Sequence, residues 1–336
     1  KAILLSLEAE MYIAYYQNYR DKFDNRTTTT APAPTDIAEW TKQNFIDKVN
    51  DLTTAALADR DKLAATPAKD YSRVLTLPKT DNVFAPTLYD VVAYRAIVQL
   101  NEISTVRPIP LARFYTTAEF AAHNFNSSRE TESHIDSIFQ SLLEIHQNDI
   151  PAFIYAEIYR LRNTADRVDN SYRAAQQRER DCLFALYDRF ADSPYSSEAL
   201  IELTCADDPS KAEEERLYKL AKDNVSRFPD YARIGALKNF TNDYEQQTVT
   251  LSYDAQALPN DSISMKFILE NLGKVVVRAY RIPESLELRN NLTSQLGRMT
   301  LAAEQTFDFS SSERNAEKQG KFAGFPVGRY IFVPEF

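Results

Sequence analysis

The chain changes its hydrophobic rhythm once. Up to about residue 243 apolar positions recur every three to four residues, and beyond it they alternate. The first pattern predicts helices, the second strands. An opening helix is expected over 2–23, with Leu4, Leu7, Met11, Tyr15 and Tyr19 as its stripe. Asp36 followed by Glu39 resembles a capping box and opens a second helix, 36–64. After a loop at 75–87, Thr87 can cap the apolar helix "LYDVVAYRAIVQLNEI". The stretch 104–128 is the least regular. From Ser128 helices are expected in quick succession, near 129–147, 150–163, 170–191, 195–204, 210–227 and 230–242.

Two segments of this run are alike. "LYDRFADSPYSSEAL" and "AKDNVSRFPDYARIGAL" each read helix, aromatic, proline, tyrosine, helix, and Pro194 and Pro229 stand 35 residues apart. That is close to the 34-residue period of tetratricopeptide hairpins. Antiparallel helix pairs, each stacked on the next, are expected here.

Past Tyr244 strands are expected at 248–256, 262–271, 274–282, 303–312 and 327–336. Ile263, Met265, Phe267 and Leu269 share one face and form the expected core side of their strand. On the following strand Val275/Val277 and Val276/Tyr280 both offer apolar faces. Leu272-Gly273 between the two predicts a hairpin. Five short strands fit one β-sandwich, with 284–298 inserted as helix or loop. The expected fold class is therefore α+β and multidomain. A helical domain over 1–243, with TPR-like helix pairs in its later part, precedes an antiparallel β-sandwich over 244–336. Glycine agrees: of six, only Gly235 lies before residue 270, and glycine is costly inside helices.

Composition narrows the function classes. The 336 residues carry a formal net charge of −9, which opposes nucleic acid and anionic lipid. No apolar run approaches the roughly 20 residues that cross a bilayer. The opening segment lacks a signal peptide's cleavage site and is interrupted by Glu8 and Glu10. Cys182 and Cys205 form no CxxC or Cys/His cluster, which excludes a zinc ribbon. One disulfide and two unpaired thiols both remain open.

Candidate chemistry is sparse. His123, His134 and His146 stand in no HExxH pattern and beside no cysteine, so they read as surface or half-buried side chains. Gly320, Gly324 and Gly328 in "GKFAGFPVG" precede a strand rather than a helix, and read as a turn, not a phosphate loop. Glu130/Glu132, Asp207/Asp208 and Glu213/Glu214/Glu215 are ordinary in an acidic helical chain. The last run matches a helix dipole. Asn126, Asn239 and Asn291 begin short glycosylation patterns that carry little weight. Tyr155/Tyr159 and Tyr15/Tyr16/Tyr19 can serve as ligand platforms, but helical spacing favours core packing. No catalytic residue, metal or cofactor is expected.

The strand-rich end carries a resemblance. "VTLSYDAQALPNDSISMKFILENLGKVVVRAYRI", followed by "FPVGRYIFV" with Pro326, Gly328 and Tyr330, resembles the first macroglobulin-type sandwich of bacterial alpha-2-macroglobulin-like proteins. "APTLYDVVAYRAI" is similar to a piece of the helical region that precedes the sandwiches in large members from Bacteroidetes. The resemblance implies an exported protein, periplasmic or outer-membrane-associated, often with a lipid anchor upstream. It implies a structural and interaction role in protease inhibition, with proteases engaged through parts of a longer chain. The family's Cys–Gln thioester has no counterpart, because no Cys-x-x-Gln occurs. The alternative is an independent cell-surface protein of helical repeat and sandwich that binds peptide or glycan.

Overall fold

The structure is a computed structural model that describes residues 1–27, 33–75, 82–104, 109–125, 131–168, 172–207, 209–286, 293–309, 314 and 316–336. The fold is α+β: helices first, then two small antiparallel sheets. The chain divides into two compact units, Lys1–Lys238 and Asn239–Phe336.

The helices are α1 (Ala2–Asn18), α2 (Arg20–Asp24), α3 (Lys42–Leu57), α4 (Arg60–Ala64), α5 (Leu88–Ile103), α6 (Thr117–Ala122), α7 (Thr131–Ile145), α8 (Ile150–Ala165), α9 (Tyr172–Arg189), α10 (Ser197–Thr204), α11 (Lys211–Arg227) and α12 (Ile234–Glu245). Helix α1 packs on α3 and α5. From α5 each long helix packs on the next, through α7, α8, α9, α10 and α11.

Two expectations at the start are corrected. The stripe Leu4/Leu7/Met11 points to solvent, with Leu4 70% and Met11 72% exposed. Helix α1 instead buries Ser6, Ala9, Ile13 and Tyr16. Both stripes have helical period, and the small residues Ser6 and Ala9 let neighbouring helices come close. Gln99 of α5 donates to the Ser6 carbonyl at 2.8 Å across that contact. The single helix expected over 36–64 is broken. Asp36 caps only a short 3-10 turn, Ile37–Glu39, by accepting from the Ala38 amide. Trp40 is extended and stacks on Tyr12 at 5.4 Å, which stops the helix. The true capping box is Thr41/Asn44, at the start of α3. Thr87 caps α5 as the sequence predicts, with Asp90 completing the box.

The β unit contains β1 (Thr248–Tyr253), β2 (Ile263–Glu270), β3 (Lys274–Ile282), β4 (Thr300–Asp308), β5 (Ala316–Phe322) and β6 (Arg329–Glu335). They form two three-stranded antiparallel sheets, ordered β1-β2-β5 and β4-β3-β6. Met265, Phe267 and Leu269 face inward as expected. On β3 the inward residues are Val275, Val277 and Ala279. All join one apolar cluster with Phe307, Phe322 and Phe332, so both sheets feed the same core.

The hairpin expected at Leu272-Gly273 does not form. Strands β2 and β3 lie in different sheets. Leu272 is buried in the core cluster, so the connection turns inward and crosses between sheets. Asn271 adopts a left-handed φ of 53° there. Strand β5 was not expected, because only its terminal residues Ala316 and Phe322 are buried and charged residues fill the rest. Such a strand suits a sheet edge. Gly320 lies within β5, not in a turn. A side chain there would press on the rings of Phe307 and Phe267.

Phe267 is fully buried, with Phe307 and Phe309 rings at 4.9 and 5.1 Å. Phe267→Ala is expected to destabilise the β unit by about 3–5 kcal/mol. Ile268→Ala, on the outward face of the same strand, is expected to cost under about 1 kcal/mol. Urea unfolding followed by circular dichroism checks the pair, and equal costs would refute the inward assignment.

Candidate functional site

A polar groove of about 820 Å³ opens between α3 and α7, over the start of α5. Helix α3 buries Phe45, Val49, Leu52 and Ala56. Its other face, at the same helical period, brings Asp47, Asn50, Asp51 and Thr54 to one wall. Helix α7 buries Ile135, Phe139 and Leu142 and brings Ser133, His134, Ser137 and Ser141 to the opposite wall. Tyr89 and Arg60 also line the groove. Arg60 is held by Glu144 at 2.8 Å. Burial raises the Tyr89 phenol above its ordinary value, with the Ser141 hydrogen bond acting the other way.

Hydrogen bonds fix the walls. Asn50 Nδ2 donates to Thr131 Oγ1 at 3.1 Å, and Asn50 Oδ1 lies 3.2 Å from His134 Nδ1. An amide oxygen only accepts, so Nδ1 carries the imidazole proton. The Nε2 lone pair then accepts from the Thr54 hydroxyl at 3.4 Å. Burial lowers the His134 pKa below 6.5, which keeps the ring neutral. Among the described residues no carboxylate bonds to it, and the Ser137 hydroxyl is turned away to the His134 carbonyl at 2.7 Å. The groove therefore offers hydrogen bonds and the charges of Asp47 and Asp51. Among the described residues that line it, no hydroxyl or thiol is bonded to His134 as a nucleophile to a carboxylate-oriented base.

The other candidate residues are dispersed. His146 is buried and bonds Asp90 at 2.6 Å, an internal contact between α5 and the end of α7. His123 is exposed and stacks on Tyr115 at 4.8 Å. Glu130, Asp208, Asn126 and Asn291 lie outside the described residues. Asp207 accepts from the Tyr172 hydroxyl at 3.3 Å. Glu213 completes the cap of α11 with Ser210. Burial opposes its ionisation, but hydrogen bonds from Ser210, Gln177 and Arg180 outweigh it and bring the carboxyl down to about 2. Asn239 is exposed on α12. Both cysteines are free. Cys205 is exposed, and burial pushes the Cys182 thiol up to about 11, which makes it a poor nucleophile. Among the described residues no cluster of three or more metal-ligating side chains occurs.

The groove was not singled out from sequence. Its signal is the polar stripe 47, 50, 51, 54, legible only once the opposing wall is known. Comparison with family models, curated proteins and solved structures finds no match for this chain.

His134 should titrate with a midpoint below 6.5, read from its ring proton shifts by NMR. The folded state then takes up this proton less readily than the unfolded chain. Its contribution to stability is full above about pH 6.5 and is lost as pH falls toward the folded midpoint. A midpoint above 6.5 would show that the ring is solvated or paired with a carboxylate.

Proposed function

We propose that the chain is a non-catalytic, amino-terminal segment of an alpha-2-macroglobulin-like protein, with a structural and interaction role in protease inhibition at the bacterial cell envelope. The observation that carries this reading is that residues of both three-stranded sheets join one apolar cluster, as the facing sheets of a sandwich would. Its closing strand β6 follows Pro326 and Gly328 and contains Tyr330, the residues of the resemblance. Tyr330 donates to the Pro326 carbonyl at 3.2 Å and stacks on Phe325 at 4.5 Å.

The later helices are read as TPR-like pairs. Pro194 and Pro229 each begin the turn before a helix, α10 and α12. The tyrosines after them, Tyr195 and Tyr231, meet edge to face at 5.7 Å. This chain contributes scaffold and surface. The trapping chemistry belongs to other parts of a longer protein, and the periplasmic or outer-membrane location follows from the resemblance.

The test is the gene and its product. The coding sequence should continue past Phe336 into further sandwich modules. The full-length product should slow cleavage of large protein substrates, whereas the 336-residue chain alone should leave protease rates unchanged. A gene that stops near Phe336 would end this reading.

A further inference from the structure

The helical unit carries a strip of aromatic rings at its surface. Tyr231 meets Tyr195 at 5.7 Å, Tyr195 meets Phe84 at 6.0 Å, and Phe84 meets Tyr155 at 5.5 Å. Tyr94 then bridges Tyr155 and Tyr159, at 5.3 and 5.6 Å. The rings come from two helices, α5 and α8, and from the segments that precede α5, α10 and α12. Tyr155 at the centre is 40% exposed, and Phe84, Tyr159, Tyr195 and Tyr231 are half-buried. A tyrosine row that stays partly in water has an apolar face and a polar tip to offer a partner.

Charge says which partner. Glu198 accepts from the Tyr231 hydroxyl at 2.6 Å and pairs with Arg233. Beyond Tyr159, Arg162 of α8 donates to Glu202 of α10 at 2.9 Å. Glu179 of α9 and Asp166 complete this end. Glu179 forms no ion pair among the described residues. Burial, then Glu202 and Asp166, push its carboxyl up to about 7, against Arg162 and Arg180. Arg180 is itself spent on Glu213 at 3.1 Å. Along the strip Glu198 pairs with Arg233 and Glu202 with Arg162, while Glu179 and Asp166 add two further carboxylates beside Arg180, which is bonded to Glu213, so carboxylates outnumber guanidinium groups.

We propose that this strip is a docking surface for a basic, extended peptide segment, whose arginine or lysine side chains lie on the tyrosine rings and against Glu179 and Glu202. Guanidinium and ammonium groups are attracted to tyrosine faces, and nearby carboxylates strengthen that attraction. Anionic partners are repelled. The surface lies wholly within the helical unit and does not depend on the inhibitor reading.

A cation beside Glu179 favours its ionised form. The groups facing Glu179 are Arg162 and Asp166 of the α8 end, Tyr172 and Arg180 of α9 and Glu202 of α10. Binding therefore releases a proton near neutrality, and affinity rises with pH from about 6 to about 8.

The full chain would be titrated with fluorescent peptides of alternating arginine and alanine, of alternating glutamate and alanine, and with a neutral oligosaccharide. Fluorescence anisotropy gives each affinity. The arginine peptide should bind and the glutamate peptide and oligosaccharide should not. Tyr155→Ala should weaken binding about tenfold. Glu179→Gln should weaken it and flatten the pH dependence. Glu215→Gln, the same charge change at an exposed site, should leave it unaltered. Melting curves show that the variants fold, and Glu179→Gln should melt higher than the parent at pH 8 because a buried charge is gone. Binding that survives both strip variants, or that is lost equally in Glu215→Gln, overturns the proposal as bulk electrostatics. Binding of the oligosaccharide alone overturns it in favour of a sugar surface, and no binding at all overturns it outright.

Discussion

Helix α5 is enclosed on nearly every side, and a carboxylate sits in its first turn with no access to water. Asp90 is fully buried. It accepts from the Thr87 amide at 2.7 Å, from the Thr87 hydroxyl at 2.9 Å and from His146 Nε2 at 2.6 Å. Stripped of such partners, a buried charge of this kind costs about 3–5 kcal/mol. The capping box starts the helix, and the histidine ties that start to the end of α7. The groove between α3 and α7 stands directly over this junction, beside Tyr89. Its walls are held together both by this buried contact and by the bonds of His134 to Asn50 and Thr54 across the groove.

Helix α8 follows a similar logic with an unusual distribution. It turns an ion pair inward and tyrosines outward. Glu157 and Arg160 are buried, joined by two hydrogen bonds of 2.6 and 2.7 Å. Thr117 donates to Glu157 at 2.7 Å, and the Arg160 guanidinium lies over the Phe120 ring at 4.4 Å. Those contacts fasten α6 to α8. Tyr155, Tyr159 and Arg162 occupy the other face at helical spacing, where they meet Tyr94, Phe84 and Glu202. The same helix buries Ala152, Phe153, Ile154, Ile158 and Leu161 around this pair and leaves its tyrosines partly in water.

In the β unit the decisive element is the three-residue passage from β2 to β3. Asn271 takes the left-handed conformation and its amide donates to the carbonyls of Tyr244 and Gln246 at 2.8 and 3.0 Å. Leu272 then drops into the core. The turn thus pins the end of α12 to the sheet and sends the chain across to the second sheet. Gly320, opposite the Phe307 and Phe267 rings, leaves the room that the shared aromatic core requires.

Local sequence determined much of this. The change of period divided helices from strands, because one-sided burial imposes 3.6 on a helix and two on a strand. Thr87 announced its helix, and the inward face of β2 was legible from Ile263 to Leu269. What it could not determine were choices between equivalent local options. Two stripes of α1 share one period, and only the approach of α3 and α5 selected the small one. Val275 and Val276 were equal until the second sheet faced them. Leu272-Gly273 read as a hairpin because a turn's residues do not say whether its flanking strands will pair. The groove, the buried charges of α8 and the tyrosine strip join residues far apart in sequence. Periodicity reports which face of an element is apolar, but only the packed neighbours decide which face is covered and which remains free.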